Sequence, residues 1–76
     1  MTLNIQLREI NDVYKLVNIL IGFAGDVDLE SGKYKVDGKS ILGIFSLDLR
    51  QPIKLTYESE VGAEKLYDQL KPFIVE

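Results

Sequence analysis

The 76 residues include no histidine and no cysteine. Without histidine the chain lacks the usual proton shuttle, the usual imidazole metal ligand and any imidazole able to accept a phosphoryl group. Without cysteine, disulfides and thiolate metal sites are excluded, which fits a reducing cytosol. No run approaches the ~18 consecutive apolar residues of a membrane span. The opening MTLNIQLRE also lacks the basic region and apolar stretch of a secretory leader. These absences predict a soluble cytoplasmic protein with no membrane partner. Positive charge is scarce too: nine Lys and Arg against twelve Asp and Glu give a net charge of −3. The basic residues are spread along the whole chain, whereas phosphate-backbone binding needs them clustered. Nucleic acid is therefore not an expected partner. A chain this short forms one domain, residues 1–76, and buries only about 60% of the surface its unfolded form exposes.

What is present is periodic. TLNIQLR (2–8) alternates, with Leu3, Ile5 and Leu7 on one face of a strand. In NDVYKLVNILIGFAG, helical spacing gathers Ile10, Val13, Leu16, Val17, Leu20, Ile21 and Ala24 on one side and leaves Ile19 off it. Asn11 or Asp12 is placed to cap this helix, and Gly25 to end it in the left-handed conformation. DVDLE and KYKVD read as a hairpin over 26–37, turned at Ser31-Gly32, with Val27, Leu29, Tyr34 and Val36 inward. KSILGIFSL reads as a short helix. PIKLTYE is a strand with Ile53, Leu55 and Tyr57 on one face and Pro52 at its start, where no ladder donor is needed. Ser59 is the expected cap of a last helix lined by Ala63, Leu66, Tyr67 and Leu70, with Val61 off the stripe and Pro72 closing it. One apolar face per strand implies an antiparallel sheet with helices on one side and water on the other. The fold class is α+β.

Catalytic chemistry finds little support. DVDLESGKYKVD places Asp26, Asp28, Glu30 and Asp37 at offsets that suggest a calcium loop. That loop needs glycine sixth, where Ser31 stands, and glutamate twelfth, where Asp37 stands. A strand with a solvated acidic face is the better reading. No two carboxylates pair at a defensible spacing, Ser46 has no candidate base, and no Gly-rich phosphate cradle appears. No enzymatic activity, metal or cofactor is expected.

The order of elements, together with DVDLE, the ten-residue spacing from Leu29 to Lys39, and KSILGIFSL, resembles HPr, the histidine-containing phosphocarrier family of the bacterial sugar phosphotransferase system. The resemblance covers nearly the whole chain. It implies an open-faced β-sandwich, β-α-β-β-α-β-α, with sheet order 1-4-2-3, and it makes Ser40 the counterpart of the family's regulatory serine. It also exposes a departure. The family's active loop, between the first strand and first helix, carries a histidine, an arginine and a proline. Counting back without gaps from DVDLE puts Glu9 at the histidine, and Asn11 and Asp12 at the other two. The connection is also short. Negative charge from Glu9 and Asp12 would repel a phosphoryl group at that helix end, so carriage on histidine is not expected.

Ser40 is first an N-cap, its oxygen accepting an N–H of the first turn, and second a candidate phosphorylation switch favoured by the helix dipole. Lys39 beside it would help neutralise the added charge. Ile41, Leu42, Ile44, Phe45 and Leu47 cannot all face inward on so short a helix. Spacing groups Ile41, Ile44, Phe45 and Asp48, and tips Leu42 and Ser46 away. Lys39, Ile41, Leu42, Gly43 and Phe45 therefore form the candidate partner surface; Gly43 allows close approach of the sheet or of a partner. Three functional readings follow. The first is a non-catalytic regulatory module that binds a protein, either a transcription regulator or a component of the phosphotransferase system. The second is a phosphocarrier with an unorthodox acceptor. The third is a plain domain that pairs with itself through a sheet edge or helix.

Overall fold

Alternation within the strands decides which side of the sheet the helices cover. The computed structural model describes residues 1–58 and 61–75. Its elements are β1 (Thr2–Ile5), α1 (Ile10–Ile21), β2 (Val27–Ser31), β3 (Tyr34–Asp37), α2 (Ile41–Phe45), β4 (Ile53–Tyr57) and α3 (Ala63–Leu70), followed by a 3₁₀ turn at Lys71–Phe73. The strands form one antiparallel sheet in the order β1-β4-β2-β3. The register aligns Leu3, Leu55, Leu29 and Val36 in a row across all four strands. This row faces the helices. The next row, Asn4, Lys54, Glu30 and Lys35, faces water and alternates in charge where it is charged. The strand reading of DVDLE and KYKVD thus holds, and the family's fold is present.

The core gathers Ile5, Leu7, Val27, Leu29, Ile53, Leu55 and Tyr57 from the sheet side against Val13, Leu16, Val17, Leu20, Ile44, Leu66 and Leu70 from the helices. Phe23 meets Tyr57 edge to face, with ring centroids 6.0 Å apart. Burial pushes the Tyr57 phenol above its ordinary value, with nearby Tyr67 adding to the effect.

Several inward positions expected on α1 differ. Ile10 and Ile21 are 67% and 59% exposed, and Ala24 is exposed, whereas Ile19 is half-buried and Phe23 is in the core. The cause is the neighbours of α1. It contacts both α2 and α3, but α2 has only five residues and leaves one flank of α1 bare. The opposite flank, with Ile19, packs towards the core beside α3. The helix also ends sooner than expected. Gly22 follows it with φ −73°, right-handed, and Gly25 is not among the positive-φ glycines. Instead Phe23 N–H bonds Leu20 O at 3.1 Å, and the Lys39 ammonium reaches Phe23 O at 2.7 Å.

The hairpin turns at Gly32-Lys33, one residue later than expected, since Ser31 still pairs with Tyr34. Gly32 has φ 59°, a conformation that strains an L side chain and suits a two-residue hairpin turn. Tyr34, expected inward, is 70% exposed, because the hairpin end projects beyond the helices. β1 stops at Ile5 rather than Arg8: Gln6 N–H donates to Phe73 O at 2.8 Å, and residues 73–75 run along the outer edge of β1. Pro52 lies just before β4, and Pro72 lies in the 3₁₀ turn after α3 has ended at Leu70. The expected cap Ser59 lies outside the described residues; α3 is preceded by Gly62 at φ 93°. Tyr67 on α3 is 38% exposed, with the Lys71 ammonium 5.8 Å from its ring centroid.

Gly38 makes the closest approach in the hairpin exit. A Cβ there would sit 3.0 Å from both Leu20 Cδ1 and the Val27 carbonyl oxygen. We predict that Gly38→Ala lowers stability by about 1–3 kcal/mol through overpacking. Gly22→Ala, whose Cβ meets nothing closer than 3.4 Å, should not. Denaturant midpoints of the two variants check this.

Candidate functional site

The N-terminus of α1 is where the resemblance places phosphoryl chemistry. Four residues, 6–9, link β1 to α1. Glu9 is the N-cap, with extended backbone at φ −136° and ψ 160°. Asp12, expected as a capping acceptor, does accept, but from the third helical position: its Oδ2 takes the N–H of Arg8 at 2.9 Å and that of Glu9 at 3.2 Å. The Asp12 N–H in turn bonds Glu9 O at 3.0 Å. A carboxylate at this end of a helix is also favoured by the aligned peptide dipoles. The Arg8, Glu9 and Asp12 N–H groups are thus engaged by the chain itself, while the first two helical N–H groups, of Ile10 and Asn11, make no bond to another described residue and open beside the Glu9 and Asp12 carboxylates. Asn11 takes no part in the cap. A shallow groove beside this end is lined by Arg8, Glu9, Asp12, Lys15, Gln69 and Phe73, so each basic side chain there is accompanied by an acidic one.

The second region is α2. Ser40 precedes it in extended conformation, and its Oγ accepts the Gly43 N–H at 3.2 Å, as a cap should. Ser40 is exposed. Ser46 Oγ donates to the Gly43 carbonyl and so fastens the other end. Gly43 faces the sheet: a Cβ there would lie 3.2 Å from Val36 Cβ. Its closeness therefore serves packing of α2 on β3. Lys39 is not aimed at Ser40, because its ammonium is drawn to the carbonyl of Phe23.

The apolar side chains of α2 divide. Ile44 and Leu47 are buried and Ile41 half-buried, while Leu42 is 81% and Phe45 40% exposed. Phe45 and Asp48, expected on the inward side with Ile41 and Ile44, are both exposed, because the helix ends at Phe45 and the following turn swings Leu47 into the core instead. Asp48 binds Arg50 at 3.1 Å. Hydrogen bonds from the Arg50 side chain and backbone hold its carboxyl below the usual value, and Asp48 raises Arg50 in return. Phe45 meets Tyr14 of α1 edge to face, with centroids 6.2 Å apart and planes at 69°. Sequence reasoning misses Tyr14. Its one signal is that Ile10 and Tyr14 stand one helical turn apart, beside the buried stripe. Ile10, Tyr14, Phe45 and Leu42 therefore form one exposed apolar strip across two helices. Among the described residues no group of three or more acidic side chains is placed to hold a metal ion. Among the described residues no helix is long and apolar enough to cross a membrane.

No protein-family model matches the sequence, and no curated protein matches it. Solved structures do. The chain is similar to HPr-C-His from Thermoanaerobacter tengcongensis, at 26% identity and TM-score 0.74, over 95% of this chain and 85% of that one. It is similar to Crh, the Bacillus subtilis catabolite repression containing protein, whose structure is a swapped dimer, at 26% identity and TM-score 0.63, over 97% and 90%. The phosphocarrier protein HPr of Bacillus anthracis matches at 22% identity and TM-score 0.73, over 99% and 94%, a level that speaks to the fold.

Both caps are open to direct measurement. Ser40→Ala and Asp12→Ala should each lower stability by about 1 kcal/mol, whereas Ser40→Asp should cost little, since aspartate also caps well. Urea unfolding of the three variants beside the unmodified chain checks the order.

Proposed function

We propose that this chain, an HPr-like protein, is a non-catalytic regulatory module that binds a protein partner and does not carry phosphate on histidine. The observation that supports this reading best is the pair of carboxylates, Glu9 and Asp12, at the N-terminus of α1. Its Arg8 and Glu9 N–H groups are taken by the Asp12 carboxylate, Glu9 stands at the position the resemblance gives to the active histidine, and the chain has no histidine at all. A phosphoryl group arriving there would meet two carboxylates where the chemistry needs free donors and a nucleophilic ring.

The partner surface is the strip along α1 and α2. Ile10, Tyr14, Leu42 and Phe45 are exposed, and the Tyr14–Phe45 contact ties the two helices into one face. Exposed aromatic and aliphatic groups of this kind suit the buried centre of a protein interface. Ile41, Ser40, Lys39 and Gly43 lie along its margin. A transcription regulator or a component of the phosphotransferase system is the partner class that the family likeness favours, in the cytoplasm. Ser40 is the proposed control point. It is exposed at the margin, and a phosphate there would bring strong acceptor oxygens beside the apolar strip, so a responsive partner would offer an arginine or lysine at that spot.

Two outcomes are expected. Incubated with phosphoenolpyruvate and the first enzyme of the phosphotransferase system, the chain should yield no acid-labile phosphoprotein; an intact-mass increase of one phosphoryl group would contradict the proposal. Immobilised chain with and without a Ser40 phosphate should retain different amounts of a regulator or phosphotransferase protein, and Leu42→Ser should reduce that retention without loss of fold. Equal retention by both forms would leave Ser40 as a cap alone.

A further inference from the structure

We propose that the free edge of β3 pairs with the same edge of a second copy of this chain, joining two sheets across a twofold axis. The inference is independent of the partner strip and of Ser40.

The two edges of the sheet are treated differently. Along β1 the chain covers its own edge: Gln6 N–H bonds Phe73 O and Val75 N–H bonds Asn4 O, each at 2.8 Å, with a bridge between Ile5 and Ile74. Along β3 no described segment does the same. Parity shows which backbone groups are left over. Tyr34 stands opposite Ser31, Val36 opposite Leu29, and Gly38 donates its N–H to Val27 O at 2.7 Å. Even-numbered residues of β3 therefore turn their backbone groups to β2, and odd-numbered ones turn theirs away. The N–H groups of Lys35 and Asp37 and the carbonyl of Lys35 are presented outward. The Asp37 carbonyl accepts Ser40 N–H at 3.0 Å and keeps a second lone pair. Unpaired ladder groups of this kind are a template for another strand.

Charge then selects both the occupant and the register. On the polar face Asp37 stands directly opposite Asp28, a like-charge pair that weakens the hairpin. The Lys35 ammonium lies 3.6 Å from Asp28, while Asp37 Oδ1 is met by the backbone N–H of Lys39 at 2.9 Å. A second β3 laid antiparallel with Val36 facing Val36 sets each Lys35 across from the other copy's Asp37. Both residues of each pair are outward-facing, so each pair exchanges two N–H···O bonds. A slip of two residues one way faces Lys35 with Lys35, and the other way Asp37 with Asp37. A slip of one residue mismatches the backbone and turns the side chains over. The slip that faces Lys35 with Lys35 sets Asp37 across from Lys33, which lies in the hairpin turn outside β3; the Val36-centred register alone supplies each Asp37 with a cation from within the strand. On the inner face of that register Tyr34, 70% exposed in the single chain, lies opposite Gly38 of the second copy, where no side chain obstructs its ring.

The test uses sedimentation from low micromolar to near-millimolar concentration, with amide hydrogen exchange read residue by residue. The unmodified chain should associate as concentration rises, and the Lys35 and Asp37 amides should gain protection as it does. Lys35→Asp and Asp37→Lys should each weaken self-association by about tenfold or more, since each faces like with like. An equimolar mixture of the two folded variants should associate again, because the two acidic side chains on the first variant's edge then face the two basic ones on the second's. A chain that stays monomeric throughout overturns the inference. So does association indifferent to both substitutions, or protection gained on β1 in place of Lys35 and Asp37.

Discussion

A four-stranded sheet with one apolar face must be roofed, and this chain has little helix with which to do it. The row Leu3–Leu55–Leu29–Val36 runs the full width of the sheet, and every helix is oriented by the need to keep water from it. α1 lies between the others and buries Val13, Leu16, Val17 and Leu20. α3 adds Leu66 and Leu70, and α2 buries only Ile44 within its five residues. The brevity of α2 is the source of the exposed strip, because the flank of α1 that carries Ile10 and Tyr14 has nothing long enough to cover it. Thus the same shortage that limits the core leaves a surface suited to a partner.

Polar side chains that the resemblance marks for chemistry are employed in holding helix ends. Asp12 satisfies two N–H groups at the start of α1, Lys39 reaches the carbonyl of Phe23 just beyond its end, and Ser40 caps α2. Helix ends carry orphan donors and acceptors that cost stability when left bare. In a domain this small each such bond is a sizeable share of the total. A residue committed in this way can still be modified or contacted, but at Asp12 commitment and phosphoryl binding compete for the same donors.

The fold was legible in the sequence because period-two alternation and one-sided helices agree at every element. Ile53, Leu55 and Tyr57 point inward as read, and so do Val27 and Leu29. Errors gather at edges and ends, where the period says nothing about what lies alongside. Ile10, Ile21 and Ala24 have the right angular position but project past the short α2. Tyr34 alternates correctly on a hairpin that outruns its cover. Residues 73–75 close the edge of β1 without any alternation long enough to read. At the candidate site Ser40 was legible as a cap because serine before an apolar run carries that signal locally. The role of Lys39 was not, since its partner Phe23 lies sixteen residues away. Nor was the Tyr14–Phe45 contact, which depends on how two helices meet.

The central claim is that the Asp12 carboxylate holds the Arg8 and Glu9 N–H groups at the N-terminus of α1 and does not yield them to an anion. Titration of isotope-labelled chain with inorganic phosphate, followed through the amide signals of Arg8, Glu9 and Asp12, tests it most directly. The account predicts no saturable movement of these three signals in the unmodified chain. Saturable shifts confined to them would show that phosphate displaces Asp12, and would contradict it.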